Sequence, residues 1–270
     1  MTPAELLDPV LRIALDAGER IMEVYRSNDF EITRKGDDSP LTRADLAAHR
    51  HIAEALARLT PGIPLLSEED ADIPYERRRG WTRYWLVDPL DGTKEFIRRN
   101  ADFTVNIALI EQGYPVLGVI HAPALEQSWI AADGAGCWKL QAGERRRLQT
   151  RPKPARPVYI VSQSHQNPAL AAFLAQSPPH EAISRGSSLK FCLLAEGLAD
   201  LYPRTGPISE WDSGAGQCVA EQAGAAVIRL PERTRLRYNE KASLLNPLFA
   251  VVADPAADWD AVLASITAPA

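Results

Sequence analysis

The 270-residue chain is short of cysteine, of basic charge in excess over acid, and of long hydrophobic runs. Its three cysteines, Cys137, Cys192 and Cys218, are odd in number and widely spaced, which excludes a disulfide framework and a zinc knuckle. Each sits among apolar neighbours and reads as a small buried hydrophobe rather than a reactive thiol. No stretch approaches the roughly 18–20 apolar residues of a membrane helix. The start, Met1-Thr2-Pro3-Ala4-Glu5, lacks the basic and apolar regions of a signal peptide. A reducing cytoplasm is therefore the expected home. A formal charge of −5 argues against extended nucleic acid as a partner, since that ligand calls for a basic face. Small phosphorylated ligands stay open, because metal ions reverse the local sign. What is present excludes disorder: 46% hydrophobic residues supply enough apolar surface to offset the entropy of ordering the chain.

Two capping boxes mark helix starts. Thr2-Pro3-Ala4-Glu5, with Pro at the first helical position, precedes a helical repeat of Leu7, Leu11, Ala14, Leu15, Gly18, Ile21, Met22 and Tyr25. Thr42-Arg43-Ala44-Asp45 opens a second helix to about Leu59, which Thr60-Pro61-Gly62 stops. Between them, Arg34 to Pro40 reads as an exposed polar loop. Strands are predicted at Tyr84–Val87, Thr104–Ile110, Pro115–His121 and Gln127–Ala132, the middle pair forming a hairpin. Glu144 to Arg156, with six basic residues and one acid, reads as a solvated connection between lobes. A nucleic-acid patch is disfavoured there because no aromatics are interleaved; contact with anionic lipid, as in a peripheral membrane protein, stays open. Beyond it, strands at 158–161, 199–202, 225–228 and 249–252 alternate with helices at 168–175, 188–197, 211–223 and 259–266. This pattern predicts layered sheets and helices.

Chemistry concentrates in three places. In Trp85-Leu86-Val87-Asp88-Pro89-Leu90-Asp91-Gly92-Thr93 a buried strand delivers two carboxylates into a turn, with Pro89 fixing one dihedral and Gly92 allowing a tight bend. Rigid paired carboxylates suit a hard, oxygen-seeking cation such as Mg²⁺. The plain alternative is a turn whose Asp residues cap backbone amides. Ser67-Glu68-Glu69-Asp70 follows the apolar Ile63-Pro64-Leu65-Leu66, so a second strand ends in carboxylates. Between Glu68 and Asp91 lie seven acids and four arginines, and gathered acids repel unless a cation joins them. An exposed acidic loop accounts well for Asp70, Asp72 and Glu76, and for Glu68 at the strand end the two readings are comparable on this segment alone. Third, Glu210-Trp211-Asp212-Ser213-Gly214-Ala215-Gly216 places an acid near a helix start, followed by small residues that let backbone or ligand approach. Asp45 in the second helix is a fourth candidate.

Glu68-Glu69, Asp88-Pro89-Leu90-Asp91-Gly92-Thr93 and Trp211-Asp212, in this order and spacing, resemble the inositol monophosphatase superfamily of Mg²⁺-dependent, lithium-sensitive phosphatases over nearly the whole chain. Lys94-Glu95-Phe96 after Thr93, the segment Gly186 to Gly197 with Leu201-Tyr202-Pro203-Arg204, and Pro40 to Asp45 resemble its bacterial CysQ branch, the 3′(2′),5′-bisphosphate nucleotidases. Ser213-Gly214 departs from the usual Thr or Ala followed by Ala, without altering a ligand atom.

The resemblance implies an α/β fold (α+β in some schemes), a layered αβαβα sandwich of the inositol monophosphatase and fructose-1,6-bisphosphatase type. Residues 1–150 would form a lobe with most metal ligands; 151–270 would carry Asp212 and the nucleotide contacts, in one catalytic unit. It implies two or three Mg²⁺ ions. Glu68, Asp88 and the Leu90 carbonyl would hold one, and Asp88, Asp91 and Asp212 another. Glu68 and Thr93 would orient and deprotonate the attacking water, with Asp45 supporting Thr93, and the amides of Gly92 and Thr93 would donate to the phosphate. Ser187, Lys190 and Arg204 match nucleotide contacts of the branch, and the spacing of Ser187 and Lys190 puts them on one helix face. The plain alternative is a Lys on a solvated face and an Arg paired to a surface acid. His165 is a candidate for the adenine. The implied reaction takes 3′-phosphoadenosine 5′-phosphate to AMP and phosphate in sulfate assimilation, with 3′-phosphoadenosine 5′-phosphosulfate as a further substrate. An inositol- or sugar-phosphate phosphatase with the same metal site, and a non-catalytic metal-dependent nucleotide binder, are the alternatives.

Overall fold

A computed structural model of the chain describes residues 1–27, 30–34, 40–162 and 167–266. The helices α1 (Pro3–Ser27) and α2 (Arg43–Leu59) start at the two expected capping boxes. The Thr2 amide donates to Glu5 and the Glu5 amide to Thr2 Oγ1; Thr42 and Asp45 repeat the arrangement. A short ribbon, β1 (Thr33–Arg34) with β2 (Pro40–Leu41), joins them; most of the loop expected there lies outside the described residues.

Seven strands form the first sheet in sequential order: β3 (Leu65–Ser67), β4 (Arg83–Asp91), β5 (Thr104–Glu111), β6 (Tyr114–Ala122), β7 (Gln127–Ala132), β8 (Gly136–Gln141) and β9 (Glu144–Arg147). Only β3 and β4 pair in parallel; the others are antiparallel. Small helices α3 (Tyr75–Arg78) and α4 (Thr93–Ile97) interrupt the run. The apolar run at 84–87 splits by parity. Tyr84 and Leu86 pack on one core, Trp85 and Val87 on another, as in a sheet covered on both faces. The α1 and α2 helices cover the second of these faces.

The second sheet, in the order β11-β10-β12-β15-β13-β14, contains β10 (Val158–Ser162), β11 (Glu181–Arg185), β12 (Leu201–Arg204), β13 (Ala226–Arg229), β14 (Thr234–Arg235) and β15 (Phe249–Val252). Helices α6 (Leu189–Ala195) and α7 (Trp211–Gln222) fill the space between the sheets, and α5 (Pro168–Gln176) and α8 (Asp260–Ala264) pack on the far face. The layers therefore read αβαβα, as expected. The small residues after Asp212 serve the close approach of helix to helix: a Cβ added at Gly216 would lie 2.4 Å from the Phe191 ring.

Two expectations need correction. The strand at Tyr84–Val87 runs on through Asp91, because β5 keeps pairing with it. Glu144–Arg147 is no loop but the outer strand of the first sheet, paired to β8; the connection is confined to residues 148–157. The basic residues of 144–156 are partly committed, with Arg146 at 3.2 Å from Glu196 and Arg151 at 2.7 Å from Asp200. The cysteines are buried as expected, and burial pushes their thiols up, that of Cys137 to about 12. Among the described residues no helix is long and apolar enough to cross a membrane.

Candidate active site

Side chains three apart on a regular strand point to opposite faces. Asp88 and Asp91 escape this rule through a bulge. Asp88 pairs with Asn106 and Asp91 with Thr104, so three steps on β4 match two on β5. The extra residue restores parity and turns both carboxylates to one face. Pro89 has no N–H to give the ladder, and the Leu90 amide bonds Asp88 Oδ1 at 3.0 Å instead.

Glu68 arrives from the parallel neighbour. Just past β3, its amide bonds the Val87 carbonyl at 3.0 Å, which sets it beside Asp88. Asp212 arrives from the other direction, in the first turn of α7, where its carboxylate accepts the Ser209 amide at 2.9 Å. Glu68, Asp88 and Asp212 each bring a carboxylate oxygen within 4.8 Å of the others. Asp91 lines the same cavity of about 410 Å³ but stands outside that trio. Its carboxylate accepts from Asn106 Nδ2 at 3.3 Å, and the Ser188 backbone amide favours its ionised form.

Burial, followed by the repulsion of Glu68, Asp91 and Asp212, pushes the Asp88 carboxyl well above the carboxylate range. Burial and then Asp91 and Glu68 do the same to Asp212. Burial raises Asp91 to about 6, with Lys190 opposing the rise. Oxygen-only donors of like charge, gathered and desolvated, fit a hard divalent cation and fit little else.

The sign of the pH effect follows. A carboxyl whose folded pKa is raised costs stability once it must ionise. For Asp91 that penalty develops between its ordinary 3.8 and about 6 and is complete above. A cation that pairs with the ionised form offsets it. Mg²⁺ is therefore expected to raise the thermal midpoint of chelator-stripped protein by several degrees more at pH 7.5 than at pH 5.5. Calorimetric melts at both pH values check this; equal shifts would contradict it.

Gly92 turns the chain from β4 into α4 with φ of 93°, and an added Cβ would meet the Asp102 carbonyl at 2.9 Å. Thr93 follows, its hydroxyl 3.2 Å from Asp45 Oδ1 and 3.4 Å from the Leu90 carbonyl. Asp45 is buried and also accepts from the Thr42 amide at 2.8 Å, so the second helix start and the site turn share one carboxylate.

Ser187, Lys190 and Arg204 line the same cavity as the acids. Their setting differs from expectation. Helix α6 begins at Leu189, and Ser187 precedes it with φ of 45°, so Ser187 and Lys190 do not share a helix face. They meet because Lys190 Nζ donates to the Ser187 carbonyl. Nor is Lys190 on a solvated face: it is 6% exposed, as is Arg204. Arg204 donates to the carbonyls of Gly206 at 3.0 Å and Pro207 at 2.8 Å, not to a surface acid. Ser187 Oγ is buried with no hydrogen-bond partner among the described residues. His165 lies outside the described residues.

Sequence reasoning passed over Asn106 and Ser188, which touch Asp91. A signal was there. Val105-Asn106-Ile107-Ala108-Leu109 is an apolar strand buried on both faces, with one amide in it. It passed over Trp211 and Ile208 in the cavity wall too.

The inositol monophosphatase family matches residues 3–265 of the chain. The 3′(2′),5′-bisphosphate nucleotidase CysQ of Salmonella typhimurium is 53% identical over 248 residues, which are 91% of this chain and 99% of that protein. The crystal structure of CysQ from Bacteroides thetaiotaomicron, described as a bacterial member of the same family, superimposes with a TM-score of 0.79 at 40% identity, covering 89% of this chain and 94% of that one. The Thermotoga maritima IMPase shares the fold, with a TM-score of 0.77 at 21% identity over 96% of this chain and 95% of that one. With the family match running almost from end to end and the curated relative identical at half of its positions, the chain belongs to the inositol monophosphatase family.

Proposed function

We propose that the chain is a divalent-cation-dependent 3′(2′),5′-bisphosphate nucleotidase that takes 3′-phosphoadenosine 5′-phosphate to AMP and phosphate. In this reading 3′-phosphoadenosine 5′-phosphosulfate is a further substrate, the ions are Mg²⁺, two or three per site, and the protein works in the cytoplasm in sulfate assimilation. The observation that carries it is one cavity lined by a carboxylate cluster, with Asp88 buried and Glu68 and Asp212 half-buried, and by two buried cations, Lys190 and Arg204. A monophosphate ester gives the carboxylates a role through cations; a second phosphate gives the buried Lys a role too. The activity named for the Salmonella relative supports the same reading.

Glu68, Asp88, Asp91, Asp212 and the Leu90 carbonyl are the groups assigned to hold the ions. Bound there, divalent ions would neutralise phosphoryl charge and acidify an attacking water. The protein's own contribution starts at Thr93. Its single hydroxyl proton goes to Asp45 or to the Leu90 carbonyl, so toward the cavity Thr93 acts as an acceptor and orients a water O–H. Glu68 is assigned to accept that water's proton. Asp45 keeps Thr93 in this role because its other oxygen is committed to Thr42. The Gly92 and Thr93 amides are assigned to the scissile phosphate. Ser187, Lys190 and Arg204 are assigned to the second phosphate, His165 to the adenine. The orphaned Ser187 hydroxyl has a donor to offer a phosphate oxygen.

Phosphate release from 3′-phosphoadenosine 5′-phosphate, inositol 1-phosphate and fructose 1,6-bisphosphate tests this. The nucleotide is expected to give the highest kcat/KM, with loss of all activity in chelator. Preference for the inositol ester would replace this reading with that of an inositol monophosphatase. Tight nucleotide binding without release would replace it with that of a regulator.

A further inference from the structure

Beyond the ligands themselves, the structure holds a buried polar relay that ends on Asp91. Asn106 Nδ2 lies 3.3 Å from Asp91 Oδ2. Ser188 Oγ lies 2.7 Å from Asn106 Oδ1 and 2.8 Å from Thr104 Oγ1. All three residues of the relay are buried.

Its direction can be derived. An ionised carboxylate only accepts, so the amide turns its NH₂ to Asp91 and its oxygen away. That oxygen needs a donor, and Ser188 supplies its one proton. The Ser188 oxygen then accepts from Thr104. Thr104 and Asn106 stand opposite Asp91 and Asp88 across the bulge, on the face that meets the inter-sheet helices. Ser188 belongs to the turn that opens α6, and its backbone amide favours the ionised form of Asp91. The relay thus pins the first sheet to the segment bearing Ser187 and Lys190. One of the four or so lone-pair sites of Asp91 is taken by Asn106 Nδ2, which limits where the rest can aim.

We propose that Asn106 is a positioning residue for Asp91, and that Ser188 holds Asn106 in the one amide orientation that serves. This rests on Asp91 being a cation ligand. Such outer partners commonly govern metal affinity by 10–100-fold. Ser188 acts through Asn106, so their effects are not additive.

Calorimetric titration of Mn²⁺ into the protein without substrate tests the proposal on Asn106→Leu, Ser188→Ala and the double variant. Each single variant is expected to bind Mn²⁺ about 10–100-fold more weakly, with the double variant no weaker than Asn106→Leu. Turnover of 3′-phosphoadenosine 5′-phosphate by Ser188→Ala is expected to recover toward the parental kcat at saturating cation, which a merely structural defect would not allow. If Asn106→Leu does not fold, Ser188→Ala, which loses one hydroxyl, carries the test. Folded variants with parental Mn²⁺ affinity would overturn the proposal while leaving the cation site intact. Absence of Mn²⁺ binding by the parent protein would overturn the cation site itself, and the proposal with it.

Discussion

Asp88→Asn is expected to lower phosphate release at least a hundredfold and, in the same protein, to raise the thermal midpoint measured in chelator. Both effects come from one position. Asp88 is 1% exposed, and Glu68, Asp91 and Asp212 all act to keep it from ionising. Without a cation, the folded protein must protonate that carboxyl or bear its repulsion. Asparagine has the same shape, and its amide oxygen still accepts from the Leu90 amide. The fold therefore keeps its bulge and loses the repulsion, a gain of roughly 1 kcal/mol or more, worth a few degrees in a chain of this size. Catalysis loses the anionic oxygen shared by the cluster, on the scale of a strongly charge-stabilising group. A phosphate assay and a melt in chelator check the two halves. Parental turnover, or a lowered midpoint, would contradict the assignment.

Lys190→Met is expected to cut kcat/KM for 3′-phosphoadenosine 5′-phosphate by about 10–100-fold, the worth of a charge-assisted hydrogen bond in a desolvated site. The loss on an ester with a single phosphate, such as inositol 1-phosphate, is expected to be several-fold smaller. Methionine keeps an unbranched apolar stem and removes the ammonium, which lies 5.6 Å from the Tyr202 ring centroid. The comparison matters more than either number. Lys190 also acts electrostatically on Asp91, so some loss on every substrate is expected. Equal losses on both substrates would place Lys190 in support of the acids alone.

Much of the scaffold is legible from local chemistry. The two capping boxes fix the starts of the first two helices to the residue, since the orphan amides of a helix start demand those side chains. The Trp85-Leu86-Val87 run announces a covered strand. The acids at Glu68, Asp88 and Asp212 meet in space; the family resemblance implied that meeting, which their separate positions in the chain do not. Other features are invisible for physical reasons. Nothing in Asp88-Pro89-Leu90-Asp91 alone tells a turn from a bulge; pairing with β5 decides it, and that pairing is long-range. Glu144–Arg147 and Glu181–Arg185 are exposed throughout, so no apolar alternation marks them as strands. Ser187 and Lys190 carry the spacing of a helix face, but the left-handed backbone at Ser187 breaks the helix before it begins. Asn106 is a single polar letter in an apolar strand, and its partner Ser188 is distant in sequence.

The most direct test follows the 3′-phosphoadenosine 5′-phosphate molecule itself. The protein is incubated with it in Mg²⁺ and in excess chelator, and the nucleotide product is identified by ³¹P NMR. The expected result is 5′-AMP and one equivalent of phosphate in Mg²⁺, with the substrate intact in chelator. Release of the 5′-phosphate, or turnover that persists in chelator, would contradict the assignment of the acidic cluster and the buried Lys190 to the two ends of one bisphosphate nucleotide.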